Sequence, residues 1–211
     1  MIRAVILDFG GVIAEEGFRE GLKAIARSSG LDPEGFFNIA DSLIYETGYV
    51  KGLIDEGLFW KKLKEKTGIK GDDKGLREEI LNRFVLRGDV LDLVDHLRRK
   101  GIITAILSDQ TNWLDEINEK KPFYHHFDYV FNSYKIGKGK REAGTFLYIC
   151  SLLNIQPEEA IFVDDNPNNI KNAEREGLYS ILYRDLYQTK RRIEEILAQA
   201  TASDQSSKFL R

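Results

Sequence analysis

Four short stretches of the sequence carry side chains that could do chemistry together. The first is Leu7-Asp8-Phe9-Gly10-Gly11-Val12-Ile13, a carboxylate at the end of an apolar run and followed by two glycines. Backbone N–H groups exposed beside such an acid form a nest for an oxyanion or phosphate, although an aspartate here also suits a plain turn or helix cap. The second is Ser108-Asp109-Gln110, directly after Ile106-Leu107. Its hydroxyl suits a phosphate oxygen and, equally, the start of a helix near Asn112. The third is Gly137-Lys138-Gly139-Lys140, where either lysine could meet an anion or face solvent. The fourth is Phe162-Val163-Asp164-Asp165-Asn166. Two adjacent acids repel one another unless a cation sits between them and other ligands. Hard carboxylate oxygens with room for water suit Mg²⁺. Helix capping requires neither acid, because Asn166 before Pro167 already fills that role.

The elements that must carry these residues read as alternating strands and helices. Residues 2–7 are a short, nearly all-apolar run, as expected of a strand buried on both faces. Residues 102–107, 160–163 and 179–183 repeat the pattern, and 128–132 do so more weakly. Val90, Leu91, Val94 and Leu97 have helical spacing with Gly101 as a stop, and Asn166-Pro167 opens a helix that Gly177 closes. This alternation predicts an α/β fold with a parallel sheet covered on both faces and ligands at the carboxyl ends of its strands. Residues 15–86 break the rhythm. They show amphipathic stretches through Leu53, Leu58, Phe59 and Leu63, and through Leu76, Ile80, Leu81 and Phe84, with glycines at 30, 48, 68 and 71. A helical cap inserted after the first strand is expected, lying over the sheet edge as a lid. Residues 1–14 and 87–200 are then the core, and 201–211 a polar tail.

Bulk properties narrow the function classes. The 211 residues carry a formal net charge of −3, which disfavours sequence-independent nucleic-acid binding. Lys61, Lys62, Lys64 and Lys66 read as a solvated helix face. The single cysteine, Cys150, cannot form an internal disulfide and reads as a buried, inert thiol in a reducing, cytoplasmic setting. The first apolar run is too short for a signal segment, and no window has the length of a membrane helix. A monomer or small homo-oligomer acting on a small molecule is expected.

Taken in order, the four stretches resemble the motif loops of the haloacid dehalogenase-like hydrolase superfamily, which is mostly phosphatases. The resemblance covers essentially the whole chain. It is strongest to the group of sugar-phosphate phosphatases and the N-terminal domains of soluble epoxide hydrolases, and Gly52-Leu53-Ile54-Asp55-Glu56-Gly57-Leu58-Phe59 resembles a cap segment of that group. It implies a Rossmann-like core with an inserted cap and Mg²⁺-dependent hydrolysis of a small phosphate ester through an aspartyl phosphate. Asp8 would be nucleophile and metal ligand, with the Gly10 carbonyl and Asp165 as further ligands and Asp164 acting through water. Ser108, Asp109, Lys140 and the Gly11 amide would hold the phosphoryl group.

Two positions depart from the family pattern. Gly10 stands where an aspartate usually protonates the leaving group, and Arg141 stands where proline usually follows the lysine. General acid–base help is worth about 10²–10⁴-fold, so Gly10 favours acidic leaving groups such as sugar-1-phosphates, unless Glu15 or Glu16 reaches in. Two other readings are a dehalogenase, which also lacks the second aspartate and needs no metal, and a phosphate-binding regulatory protein without turnover.

Overall fold

The computed structural model describes residues 1–208, with side chains described through residue 200. Five strands, β1 (Ala4–Leu7), β2 (Ile103–Ser108), β3 (Tyr129–Asn132), β4 (Ala160–Asp164) and β5 (Tyr179–Leu182), form one parallel sheet in the order β3-β2-β1-β4-β5. Leu7 lies level with Ile106 on one side and Val163 on the other, so the residues that follow these strands emerge together at one edge. The chain winds outward from β1 to β3 and then crosses back to β4. That reversal leaves a crevice at the carboxyl ends beside β1, the usual place for a ligand in such sheets.

Alternate residues of each strand face opposite layers. Val5 and Leu7, with Ile161 and Val163, join a core that includes α5 (Gly88–Arg99) and α10 (Leu186–Lys208). Ala4 and Ile6, with Ala160 and Phe162, pack on α8 (Thr145–Leu152) and α9 (Pro167–Arg175). Cys150 is buried in this second layer, and burial pushes its thiol up to about 11. Asn166 caps α9 by accepting the Asn168 N–H, as its sequence predicts. α10 runs into the stretch read from sequence as a tail, and residues 209–211 lie outside the described residues.

Between β1 and α5 the chain forms α1 (Gly17–Ser28), α2 (Pro33–Glu46), α3 (Glu56–Thr67) and α4 (Asp73–Leu81), with no strand. The two connections to this helical segment run side by side, since Ala14 bridges Leu86, Glu15 N–H donates to the Val85 carbonyl and Arg87 N–H to that of Ile13. The expected apolar face is only partly right. Leu53 is 71% and Leu58 38% exposed, whereas Phe59, Trp60 and Leu63 are buried. α3 begins after its cap Asp55, so Leu53 precedes the helix altogether and Leu58 turns outward. Among the described residues no helix is long and apolar enough to cross a membrane.

Candidate active site

A buried ammonium group organises the carboxyl edge of the sheet. Lys140 is 2% exposed, and its Nζ lies 2.8 Å from Asp8 Oδ1 and 2.7 Å from Asp164 Oδ2. Asp8 leaves the end of β1 and Asp164 ends β4, while β2 leads through α6 (Trp113–Lys120) and β3 to α7 (Ser133–Ile136), and the glycine loop after it returns Lys140 to them. That loop is fixed from several sides. Lys140 N–H donates to Asp109 Oδ1 at 2.9 Å, Asn172 Nδ2 to the Lys140 carbonyl at 3.2 Å, and Thr145 Oγ1 to the Gly139 carbonyl at 2.8 Å. Lys138 instead lies over the Tyr148 ring, 5.8 Å from its centre, so Lys140 is the lysine that reaches the acids.

Each acid is held differently. Asp8 Oδ1 also accepts the Phe9 N–H at 2.7 Å. Asp164 is fully buried and saturated: it accepts from Asn166 N–H at 2.7 Å and from Asn169 Nδ2 at 3.0 and 3.2 Å, besides Lys140. Asp165 is half-buried against the Gly11 backbone, where an added Cβ would stand 2.2 Å from Asp165 Oδ2. Gly11 also has φ +83°, so glycine is needed there for both conformation and space. Asp8, Asp164 and Asp165 offer oxygens that all lie within 4.8 Å of one another.

The electrostatics follow from crowding acids in a dry site. Burial holds the Asp8 carboxyl well above its usual range; Lys140 opposes this, while Asp164 and Asp165 add to it. Asp165 is raised by burial and by Asp164. Burial would lower Lys140, but Asp164, Asp8 and Asp109 outweigh it and hold the ammonium above its ordinary value. One fixed cation therefore faces an excess of acids, a donor set of hard oxygens that suits a small divalent cation.

Two groups expected at the phosphate have partners within the chain. The Gly11 N–H donates to the Ala14 carbonyl at 2.8 Å, because the loop curls back on itself, and so it does not face the crevice as a free donor. The Asp109 carboxylate is half-buried and accepts from Lys140 N–H and from Tyr45 OH, at 3.3 Å, so it braces the lysine loop. Burial raises the Asp109 carboxyl in spite of Lys140. Ser108 ends β2, buried and next to these groups. Gly10 pairs with Ala14 in the same curled loop.

Several contributors escaped the sequence reading. Asn169 shares the buried face of α9 with Ile170 and Ala173, and a polar residue at that apolar spacing was the available signal. Tyr45 comes from α2, and Arg141 stacks on its ring at 3.5 Å while pairing with Asp41 at 3.3 Å. No local pattern links those three. Glu15 and Glu16 diverge as well. Glu15 pairs with Arg87 at 3.0 and 3.1 Å and is held below its usual range by that guanidinium. Glu16 turns inward, and burial holds its carboxyl above its usual range.

A family profile described as haloacid dehalogenase-like hydrolase matches residues 2–177. Bifunctional epoxide hydrolase 2 of Sus scrofa is 25% identical over 225 residues, which is 92% of this chain and 39% of that protein. The phosphoserine phosphatase of Thermus thermophilus is 26% identical and aligns over 85% of this chain and 80% of its own length. Among solved structures, a HAD family enzyme of Bacteroides thetaiotaomicron matches with a TM-score of 0.72 at 24% identity, over 87% of this chain and 94% of that one. That enzyme has also been crystallised with magnesium and inorganic phosphate. The chain spans only 19% to 39% of the epoxide hydrolases it matches.

Proposed function

The chain belongs to the haloacid dehalogenase-like hydrolase family, and from that premise we propose that it is a Mg²⁺-dependent phosphatase of a small phosphate monoester, with Asp8 as covalent nucleophile. The observation that carries this reading is Lys140 Nζ within 2.8 Å of Asp8 and 2.7 Å of Asp164 in a buried cluster whose third acid is Asp165. A phosphatase and a magnesium–phosphate complex among the similar proteins support it.

The donor chemistry fits the metal. Asp8 and Asp165 would hold it directly, and Asp164, saturated by Lys140, Asn166 and Asn169, would act one layer behind. When bound, Mg²⁺ supplies charge neutralisation for the phosphoryl oxygens. The chain's own residues do the rest. Lys140 and the Phe9 N–H fix one oxygen of Asp8, leaving the other to attack phosphorus. Lys140 offsets the charge that gathers on the equatorial oxygens, and Ser108 donates its hydroxyl to one of them. The helices between β1 and α5 serve as the cap, a role supported by Tyr45 of α2, whose hydroxyl reaches Asp109 beside the crevice. A metal-free dehalogenase would use Asp8 but would not need the acid pair Asp164 and Asp165 beside it, so the phosphatase reading is preferred.

The test is a screen of sugar and nucleotide monophosphates and p-nitrophenyl phosphate, with Mg²⁺ and with EDTA. Turnover that needs Mg²⁺ and vanishes in Asp8→Asn is expected. Full activity in EDTA, or near wild-type turnover by the folded Asp8→Asn protein, would overturn the reading.

A further inference from the structure

Splitting a phosphate ester of an ordinary alcohol requires a proton for the departing oxygen, and the loop after Asp8 offers Gly10 where a side chain would deliver it. Gly10 is not a conformational necessity. It is absent from the residues with positive φ, and a Cβ added to it would meet nothing nearer than Phe84 Cε1 at 3.5 Å and Glu16 Oε1 at 3.7 Å, which are ordinary contacts. A Cβ would therefore fit at position 10, and beside it stands the carboxyl group of Glu16.

That carboxyl is aimed by its surroundings. Glu16 is the N-cap of α1, and its Oε2 accepts the Arg19 N–H at 2.9 Å, which leaves Oε1 as the oxygen facing Gly10. Phe84, 1% exposed and stacked on Phe9 at 5.4 Å, forms a dry wall beside it. An added Cβ on Gly17 would stand 2.5 Å from the Phe84 ring, so the glycine following Glu16 allows that wall to come close. Two other acids near the crevice are occupied. Asp109 is bound by Lys140 N–H and Tyr45 OH, and Glu15 points outward to Arg87.

We propose that Glu16 is the catalytic acid and base of this site, doing from the cap hinge what the chain lacks at position 10. This rests on the phosphatase reading above. In the first step an Asp8 oxygen forms a bond to phosphorus, the bond from phosphorus to the alcohol oxygen breaks, and the Glu16 carboxyl gives its proton to that oxygen. In the second step water attacks the phosphorus of the aspartyl phosphate, the Glu16 carboxylate takes a proton from the water, and the bond to Asp8 breaks. Phosphate leaves with Asp8 ionised and Glu16 protonated again.

The test compares wild type, Glu16→Gln, Glu15→Gln and the double variant Gly10→Asp/Glu16→Gln, each with Mg²⁺. The substrates are p-nitrophenyl phosphate and a primary alkyl ester such as glycerol phosphate. Glutamine retains the oxygen that caps α1, and thermal melting checks that the fold survives. Glu16→Gln should lower kcat/KM on the alkyl ester by about 10²–10⁴-fold. On p-nitrophenyl phosphate, whose leaving group needs no proton, kcat/KM should change little. Because the second step still lacks its base, that substrate should give a burst of p-nitrophenol followed by slow turnover. Glu15→Gln should behave as wild type, and the double variant should regain activity on the alkyl ester. An equal loss on both esters without a burst, or no loss on either, would overturn the role of Glu16 while leaving the phosphatase reading in place. A wild-type protein inactive on both esters and on the wider panel would overturn the phosphatase reading and this proposal together.

Discussion

Replacing Lys140 with methionine removes the ammonium and keeps much of the side-chain volume. Lys140 is 2% exposed, and the acids it serves, Asp8 and Asp164, are 8% and 0% exposed, so water cannot take its place cheaply. Breaking a buried ion pair by removing one partner costs about 3–5 kcal/mol, because the remaining charge stays buried without compensation. Total stabilities are about 5–15 kcal/mol, so the metal-free variant should lie close to unfolding at neutral pH. The pH dependence has a definite sign. Asp8 is held above its ordinary 3.8 by burial even with Lys140 present, and losing the cation raises it further. The native state then binds more protons than the unfolded chain at pH values above 3.8, and stability falls as pH rises through that interval. The cost of Lys140→Met should therefore be largest near neutral pH and shrink on mild acidification. Mg²⁺ at about a hundred times its Kd should restore about 2.7 kcal/mol by binding only the folded form. Urea unfolding followed by circular dichroism, at pH about 5 and about 7, with and without Mg²⁺, measures all three effects. A metal-free loss under about 1 kcal/mol near neutral pH, or a loss that grows on acidification, would refute the assignment of Lys140 as the counter-charge.

Two further substitutions separate the roles of neighbouring residues. Asp165→Asn should weaken Mg²⁺ binding more than Asp164→Asn in a calorimetric titration, whereas Asp164→Asn should lower the melting temperature more, since Lys140, Asn166 and Asn169 all donate to that carboxylate; the reverse order would reassign the pair. Gly11→Ala combines the left-handed penalty of about 1–2 kcal/mol with a forced shift of Asp165, so it should reduce both stability and Mg²⁺ affinity. Gly30→Ala, at φ +69° with open space around it, should cost stability alone, and equal Mg²⁺ affinity in the two variants would contradict the packing of Asp165 on Gly11.

Much of this molecule was legible in its residues taken in order. The β-strand runs that lead to Asp8, Ser108 and Asp164 follow from apolar stretches cut off by polar residues, and the start of α9 from Asn166-Pro167, because burial periodicity and capping are local physics. The family also followed from four motif stretches, as the profile over residues 2–177 bears out. What needed the tertiary structure was every choice between near-equivalent residues. Lys140 and Lys138 are two positions apart in one glycine loop, and only the bonds that Asp109, Thr145 and Asn172 make to that loop decide which reaches the acids. Leu53 and Leu58 looked apolar enough for a core, yet the Asp55 cap leaves Leu53 outside the helix and turns Leu58 to solvent. The Gly11 amide looked free until the loop curled and Ala14 accepted it. Glu15 and Glu16 are identical in type, and their opposite directions are set by Arg87, far along the chain, and by the first turn of α1. Local sequence fixes which residues can do chemistry at a strand end, but which way each side chain points depends on partners that only the folded chain brings within hydrogen-bonding distance.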